Sequence, residues 1–364
     1  MVFAGDDTEW FKERRLRRTV VRARVGGPTR RRSDAPEIAA AGGARDTRTR
    51  SHDRRCGADD SRLELPPAVV NAVRAGQSLQ PDVWPNGARV AVLLSFDVDN
   101  ETVALRFGEP NPGTLSQGQY GAREGLGRVL RVLDRYKVPA TFFIPSVSLA
   151  LAPKMATAIK RSGRHEFGVH GWIHENNSTL TDSAERSLLT KAIAELTEMT
   201  GTKPTGYRAP SWNMSPNTLG ILRDLGFRYE SSLMADEKPY ELLQDGAPTG
   251  LVEIPVEWIL DDAPLFSPLG NSYSPPREVA RVWMDEFDKA LEEGTMFVLT
   301  MHPHISGHRS RIIALEQLLA HIDSVAKGKV WFATHRQAAE YVRRMSKLGE
   351  PRPRMASVRQ FDDR

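Results

Sequence analysis

The chain has little of what would tie it to a membrane or to an oxidising compartment. Its 364 residues include one cysteine, Cys56, so an internal disulfide is excluded and a reducing compartment, the cytoplasm, is expected. No segment approaches the roughly 18 consecutive apolar residues that a membrane span needs. Aromatic residues make up only 7% of the chain, but hydrophobic residues make up 40%, enough for one large domain or two smaller ones.

The excess of basic residues is small and is confined to one end of the chain. The formal net charge is +4, yet residues 1–62 alone contain 16 Lys and Arg against 10 Asp and Glu. Residues 63–364 therefore carry 34 basic and 36 acidic side chains, a net charge of −2, and no nucleic-acid partner is expected. Residues 1–62 lack the apolar segment of a secretory signal, and we predict a disordered basic segment there.

From Leu63 onward, strand-like and helix-like segments alternate. The predicted strands are 89–96, 140–144, 166–169, 205–208, 227–231, 251–256, 295–300 and 329–333. The predicted helices are 121–136, 148–162, 182–200, 215–225, 276–293, 309–326 and 335–346. This alternation is typical of a parallel sheet, and seven or eight units favour a barrel over a doubly wound sheet. We predict an α/β fold over 63–348, a single distorted (β/α) barrel of about seven parallel strands, followed by a loose tail over 349–364.

Two aspartates lie where the first strand of this barrel ends. In a parallel barrel, functional residues lie at the carboxyl ends of several strands. Asp97 and Asp99 are two residues apart on extended backbone, so both point to the same side. Like charges held this close need a cation or a proton. For this stretch alone, a strand-end turn without function is an equal alternative.

Other strand ends supply histidines. His170 and His174 are four residues apart, the spacing that puts two imidazoles on one face of a helical turn. Without further support, such a pair is more often incidental than a metal site. With Asp99, however, the histidines make a three-ligand set that leaves a position open, as hydrolytic zinc sites do. Asp97 would then stay uncoordinated and able to take a proton from water.

Four motifs, in order, carry a resemblance to a known family. They are SFDVD at 95–99, HGWIH at 170–174, RAPSW at 208–212 and LTMHP at 299–303. The ordered set resembles the polysaccharide deacetylase family (NodB homology, carbohydrate esterase family 4) over roughly residues 65–346. The segments QYGAR at 119–123 and WFAT at 331–334 are similar to its intracellular subgroup, which holds peptidoglycan-deacetylase-like and allantoinase-like or cyclic-imidase-like proteins.

The resemblance implies a role for each matching residue. The implied catalytic residues are Asp97 as general base, Arg208 as its partner and His302 as the acid that protonates the leaving nitrogen. The implied ligands of a divalent metal ion, for which we expect Zn²⁺, are Asp99, His170 and His174. The implied substrate-binding residues are Trp212, Tyr120 and Arg123. Independently, a histidine titrates near neutral pH, which suits the proposed acid.

Two positions depart from the family's pattern. Val98 separates the two aspartates, which are adjacent in the extracellular enzymes, and the spaced form fits the subgroup. Glu230 stands before Ser231 and Ser232, where the family usually has an aspartate. The second departure is either a harmless loop difference or a change in the pocket.

Three functions stay open. The first is metal-dependent hydrolysis of a non-peptide C–N bond, removing the N-acetyl group of a peptidoglycan-type amino sugar. The second uses the same site to open a small cyclic amide or imide, and the third is a non-catalytic carbohydrate-binding relic. A relic usually loses part of its site, whereas Asp97, Asp99, His170, His174 and His302 are all present. The subgroup resemblance also implies a homo-oligomer, with a tetramer as one form.

Overall fold

A curved, mostly parallel sheet organises the fold. A computed structural model describes residues 72–108, 111–266, 273–351 and 353. The strands are β1 Arg74–Ser78, β2 Val90–Asp97, β3 Thr141–Ile144, β4 Glu166–Val169, β5 Gly206–Tyr207, β6 Tyr229–Glu230, β7 Tyr240–Gln244, β8 Ala247–Glu253, β9 Met296–Met301 and β10 Val330–Ala333. The predicted segment 1–62 and, of the predicted tail, residues 352 and 354–364 lie outside the described residues.

Helices connect most of these strands. They are α1 Thr102–Leu105, α2 Pro112–Tyr120, α3 Leu126–Tyr136, α4 Ser146–Leu151, α5 Lys154–Lys160, α6 Asp182–Thr200, α7 Thr218–Leu225, α8 Asp262–Phe266, α9 Pro276–Glu293, α10 Pro303–Ser306, α11 Ile312–Ala326 and α12 His335–Met345. A π-helical turn, Gly121–Gly125, joins α2 to α3. None of the described helices combines the length and the apolar character needed to cross a bilayer.

The centre of the sheet is β2. It pairs in parallel with β9 along one edge, and with β10 and then β3 along the other. From β3 the order continues through β4, β5, β6 and β8, each pairing again being parallel. The prediction of a single distorted (β/α) barrel of about seven parallel strands is confirmed, and β10 brings the number of strands in parallel pairings to eight.

The far edge of the sheet is an antiparallel hairpin that the sequence analysis did not predict. β7 pairs antiparallel with β8, and β1 pairs antiparallel with β7. Asp245 and Gly246 form the turn, with φ angles of 51° and 79°. Asp-Gly is a strong signal for such two-residue turns, because both positions need positive φ. The signal was therefore present in the sequence.

One predicted helix is interrupted. The helix predicted over 148–162 is two helices in the structure, α4 and α5, with Pro153 between them. Proline lacks a backbone N–H and clashes with the preceding turn, so it cannot lie inside a continuous helix. Pro153 instead stands directly before the first turn of α5, where the missing N–H costs nothing.

The alternation of side chains along β2 places the aspartates inside the barrel. Val90, Val92, Leu94 and Phe96 pack with the helices, in the larger hydrophobic cluster. Ala91 and Leu93 face the other way and pack in the barrel interior with Val252 and Ile254 of the opposite wall and with residues of α12. Because successive residues of a strand alternate, Ser95 and Asp97 face the same interior.

Candidate active site and metal centre

Asp97 and Asp99 lie together at the carboxyl end of β2, and both are buried. Nε2 of His170 lies 3.6 Å from Oδ2 of Asp97 and 3.5 Å from Oδ1 of Asp99. Nε2 of His174 lies 3.5 Å from the other carboxylate oxygen of Asp99. The three potential ligands predicted from the sequence therefore converge, with one ligand atom of each within 4.8 Å of the others.

This cluster has the composition and the unmet bonding capacity of a cation site. Oδ1 of Asp99 is buried, and it has no hydrogen-bond partner in the described part of the chain. Burial raises the pKa of Asp99, although His170 and His302 oppose that rise, so a free carboxylate here is poorly stabilised. Two imidazole nitrogens and a carboxylate suit Zn²⁺ and neighbouring divalent ions. The residues fit a divalent metal.

Contacts behind the two histidines orient their rings. Nδ1 of His170 lies 2.8 Å from the carbonyl oxygen of Arg208, so it donates and leaves Nε2 free as a ligand atom. Nδ1 of His174 lies 2.8 Å from Nη1 of Arg106. A guanidinium only donates, so this Nδ1 accepts in the structure. Coordination of a metal through Nε2 of His174 would put a proton on Nδ1 and displace Arg106.

The segment between the two histidines is a loop and not the helical turn that the spacing suggested. Gly171 has a φ of 76° and His174 a φ of 61°. Glu175 accepts hydrogen bonds from the backbone N–H groups of Trp172 and Ile173, which closes the loop. Asn100, Ser211 and Trp212 also have positive φ. Each such non-glycine residue costs roughly 1–3 kcal/mol, and residues of this kind cluster at functional sites.

Arg208 holds Asp97 in the ionised state. Its Nη1 donates to Oδ1 of Asp97 at 2.9 Å and to Oγ of Ser95 at 2.8 Å. Its Nε and Nη2 donate to the carbonyl oxygen and the hydroxyl of Ser231, at 2.8 and 2.9 Å. Burial alone would raise the pKa of Asp97, but Arg208 and the nearby histidines outweigh it and lower that pKa. Asp97 is therefore a charged carboxylate, and its Oδ2 faces the cluster of Asp99, His170 and His174.

His302 lies on the other side of Asp99. Its Nε2 is 3.5 Å from Oδ2 of Asp99, and its Nδ1 donates to Oδ1 of Asp262 at 2.6 Å. The second oxygen of Asp262 accepts the backbone N–H of His302 at 2.9 Å, which fixes the ring. Burial alone would lower the pKa of His302, but Asp262 and then Asp261 raise it well above its ordinary value. His302 is therefore an imidazolium at neutral pH.

Neighbouring loops form the walls of a small cavity above these groups. It has a volume of about 200 Å³, and Trp212 and Trp258 both line it. Their rings are in contact, with 4.2 Å between centroids and 35° between the ring planes, and Trp258 is 46% exposed. Asp261 also lines the cavity, and burial raises its pKa to about 7 although His302 opposes that rise.

Seven of the nine residues predicted from the sequence meet in this region, and two do not. Asp97, Asp99, His170, His174, Trp212 and His302 line the cavity, and Arg208 lies behind Asp97. Tyr120 stacks on His308 at 3.7 Å between ring centroids, and its hydroxyl accepts from Arg128 at 2.7 Å. Arg123 is exposed on the π-helical turn. Neither residue lines the cavity, and their contact with substrate stays a prediction.

Sequence reasoning missed three residues of the site. Asp262, which lies outside the four motifs, makes two hydrogen bonds to His302. Arg106, directly after α1, and Trp258, on a short 3₁₀-helical turn, line the cavity from outside the four motifs. The adjacent carboxylates of Asp261 and Asp262 were the one feature of the sequence that pointed to Asp262. No local pattern shows which connecting segment will face the carboxyl ends of the strands.

Comparison with known proteins identifies the family of the chain. The family model described as polysaccharide deacetylase matches residues 100–230. The peptidoglycan deacetylase of Helicobacter pylori is 31% identical to the chain over an alignment of 286 residues, and the alignment covers 70% of this chain and 97% of that protein. The chain belongs to the polysaccharide deacetylase family. The relatives that are named deacetylases are hydrolases of carbon–nitrogen bonds other than peptide bonds, and the chain is a hydrolase of this class.

Solved structures of two relatives share the fold. A protein of Mycobacterium smegmatis assigned to the polysaccharide deacetylases is 35% identical, with a TM-score of 0.69 over 78% of this chain and 100% of that one. The allantoinase PuuE is 23% identical, with a TM-score of 0.65 over 72% of this chain and 92% of that one. The second likeness concerns the fold alone.

Proposed function

We propose that this hydrolase removes the N-acetyl group of a peptidoglycan-type amino sugar, in a reaction that depends on a divalent metal. One observation carries the proposal. An ionised carboxylate, Asp97, and an imidazolium, His302, flank the cluster of Asp99, His170 and His174 within one cavity. A base and an acid separated by a cation site are the groups that hydrolysis of an amide needs.

The roles of the residues follow from their charge states. A divalent ion held by Asp99, His170 and His174 would act as a Lewis acid toward the acyl oxygen. Asp97 accepts a proton from the attacking water, and its contact with Arg208 keeps the carboxylate ionised and fixed. Nε2 of His302 gives its proton to the departing nitrogen, while Asp262 stabilises the imidazolium and orients it. General acid–base catalysis of this kind contributes about 10²–10⁴-fold to a rate.

The choice of substrate rests on the relatives and on the cavity walls. The peptidoglycan deacetylase of Helicobacter pylori, matched along 97% of its length, supports an amino-sugar substrate. Trp212 and Trp258 offer aromatic surface, on which the apolar face of a sugar ring can pack. Zn²⁺ is our proposed metal, because its tetrahedral preference suits three protein ligands and one open position.

The second candidate is hydrolysis of a small cyclic amide or imide. The small volume of the cavity, about 200 Å³, favours it, since such a substrate fits there whole. The same base and acid would serve, with the leaving nitrogen still tethered to the product. The non-catalytic alternative has less support, because the base, the acid and the three ligand residues all lie around one cavity.

One purified sample tests these alternatives. Its metal content is measured, and it is assayed against chitooligosaccharides, a peptidoglycan disaccharide, allantoin and simple cyclic imides. Release of acetate from the sugars supports the first proposal, and ring opening without acetate release supports the second. Full activity in a preparation stripped of metal would contradict both. We also propose, from the sequence, that the protein is a cytoplasmic homo-oligomer. Light scattering after size exclusion tests the oligomeric state.

A further inference from the structure

A second cavity of about 200 Å³ adjoins the catalytic one. The two share Val103, His304 and Ile305 as wall residues. His304 and Ile305 follow His302 directly in the chain, on α10, so the second cavity lies beyond the proposed acid. In the proposed reaction His302 protonates the leaving nitrogen, so this is the side on which the amine portion of the substrate would lie.

The second cavity differs from the first in charge. The catalytic cavity is lined by Asp97, Asp99 and Asp261, whereas no aspartate or glutamate of the described chain lines the second. Its charged wall residue is Arg311, which is half-buried. Thr114 and Gln117 of α2 add polar groups on the opposite wall. The neighbouring cavities are therefore acidic and basic, respectively.

Arg311 lacks the partner that a half-buried guanidinium usually has. It donates to the carbonyl oxygen of Phe266 at 3.3 Å and lies 5.6 Å from the ring centroid of Tyr273. Among the described residues, no carboxylate forms an ion pair with it. Asp262 attracts it from a distance but is engaged by His302. The planar guanidinium of arginine donates two parallel hydrogen bonds to a carboxylate. An ion pair of this kind would offset the free-energy cost of partly burying the charge of Arg311.

The two histidines that line the second cavity are neutral, so Arg311 is its positively charged group. Burial lowers the pKa of His304 to about 3 and that of His308 to about 4, and Arg311 contributes to both shifts, so both rings are neutral. Nδ1 of His304 is buried and has no hydrogen-bond partner in the described part of the chain. As a neutral imidazole nitrogen, it can donate to an acceptor that enters the cavity.

We propose that the second cavity binds a carboxylate group on the amine portion of the substrate, with Arg311 as its principal partner. The inference rests on the proposed function, since it takes His302 as the acid on the leaving-group side. It narrows the substrate to an N-acyl amine that carries an anionic group a few bonds from its nitrogen. Arg311 is then a specificity-determining residue, not a catalytic one.

A pair of substrates that differ only in charge tests the proposal. One is the disaccharide of N-acetylglucosamine and N-acetylmuramic acid, and the other is the methyl ester of its lactyl carboxylate. The wild-type protein should have a higher kcat/KM for the acid than for the ester. Arg311→Met should remove about 10–100-fold of that preference, the range for a hydrogen-bonded charge pair, and leave the rate on the ester nearly unchanged.

The control is Arg309→Met, which removes the same charge from an exposed position two residues away. It should keep the preference for the acid. Equal losses on the acid and the ester in Arg311→Met, or no preference in the wild-type protein, would overturn the proposal while hydrolysis itself stands.

A binding measurement separates failure of this proposal from failure of the proposed function. If the wild-type protein hydrolyses neither compound, the shift in its melting temperature with N-acetylmuramic acid and with the methyl ester is the readout. A shift by the acid alone, lost in Arg311→Met and kept in Arg309→Met, supports the carboxylate site without any turnover. The absence of a shift, or equal shifts by acid and ester, contradicts it.

Discussion

A buried pair of glutamates lies behind the arginine that contacts Asp97, and its proton makes the stability of the fold depend on pH. Glu230 ends β6 and Glu253 ends β8, and the two are paired across these strands. Oε1 of Glu253 accepts the backbone N–H groups of Ser232 and Leu233, at 3.0 and 2.9 Å. Oε2 of Glu253 is buried and accepts no hydrogen bond from the described residues. This is expected if Oε2 carries a proton and donates it to the carboxylate of Glu230.

The direction of the effect follows from the raised pKa of Glu253. Burial and the neighbouring charge of Glu230 raise that pKa well above the ordinary value. The folded state therefore holds a proton that the unfolded state releases above the usual pKa of glutamate, about 4.3. The stabilisation is complete below that pH and is lost as the pH rises through the folded-state pKa. The slope for one proton is about 1.4 kcal/mol per pH unit.

Glu253→Gln should abolish this loss, because the amide mimics the protonated acid at every pH. Its oxygen can accept the same two backbone N–H groups and its NH₂ can donate to Glu230. The variant and the wild-type protein should melt at similar temperatures near pH 4.5. Their difference should then grow in favour of the variant by roughly 2–3 °C per pH unit as the pH rises.

Thermal melts of both proteins from pH 4.5 to 9 measure this difference directly. Glu340→Gln, at an exposed position on α12, serves as the control and should give a difference that does not change with pH. If the difference between Glu253→Gln and the wild-type protein is equally constant, Glu253 does not hold a proton in the folded state and the reasoning is wrong.

Two further predictions concern the catalytic cavity. Arg208→Lys keeps a positive charge but cannot reproduce the bonds to Asp97, Ser95 and Ser231, so kcat should fall by at least about tenfold with little change in KM. Steady-state kinetics on the substrate found in the screen checks this, and an unchanged kcat would contradict it. Trp258→Ala removes a half-exposed ring from the cavity wall, so KM should rise by roughly 3–10-fold while the melting temperature stays within about 1 °C. An unchanged KM would show that the ring does not contact the substrate.

Much of the fold could be predicted because its signals are local. Strand and helix periods alternate along the chain, and the two-residue period of β2 explains why Asp97 faces the barrel interior. The hairpin of β7 and β8 was missed although Asp245-Gly246 signalled its turn. Pro153 likewise marked the interruption between α4 and α5.

The site was harder to predict, because its parts come from distant segments. The strand-end motifs that hold Asp99, His170 and His174 predicted that these three residues lie together, as they do. The pairing of Asp262 with His302 and the contact of Arg106 with His174 depend on loops whose course no local pattern reveals. Both contacts set the charge or the orientation of a histidine. The charge states and ring orientations of His302 and His174 therefore could not be predicted from the sequence.

The central claim is that Asp97 and Asp99, two residues apart, have different tasks: Asp99 binds the metal and Asp97 moves a proton. Metal content and turnover, measured on the same purified samples of the wild-type protein, Asp97→Asn and His174→Ala, test it most directly. Asp97→Asn should retain its metal and lose about 10²–10⁴-fold in kcat, the range for loss of a general base. His174→Ala should lose metal. Equal loss of metal in the two variants, or near-normal turnover in Asp97→Asn, would contradict the account.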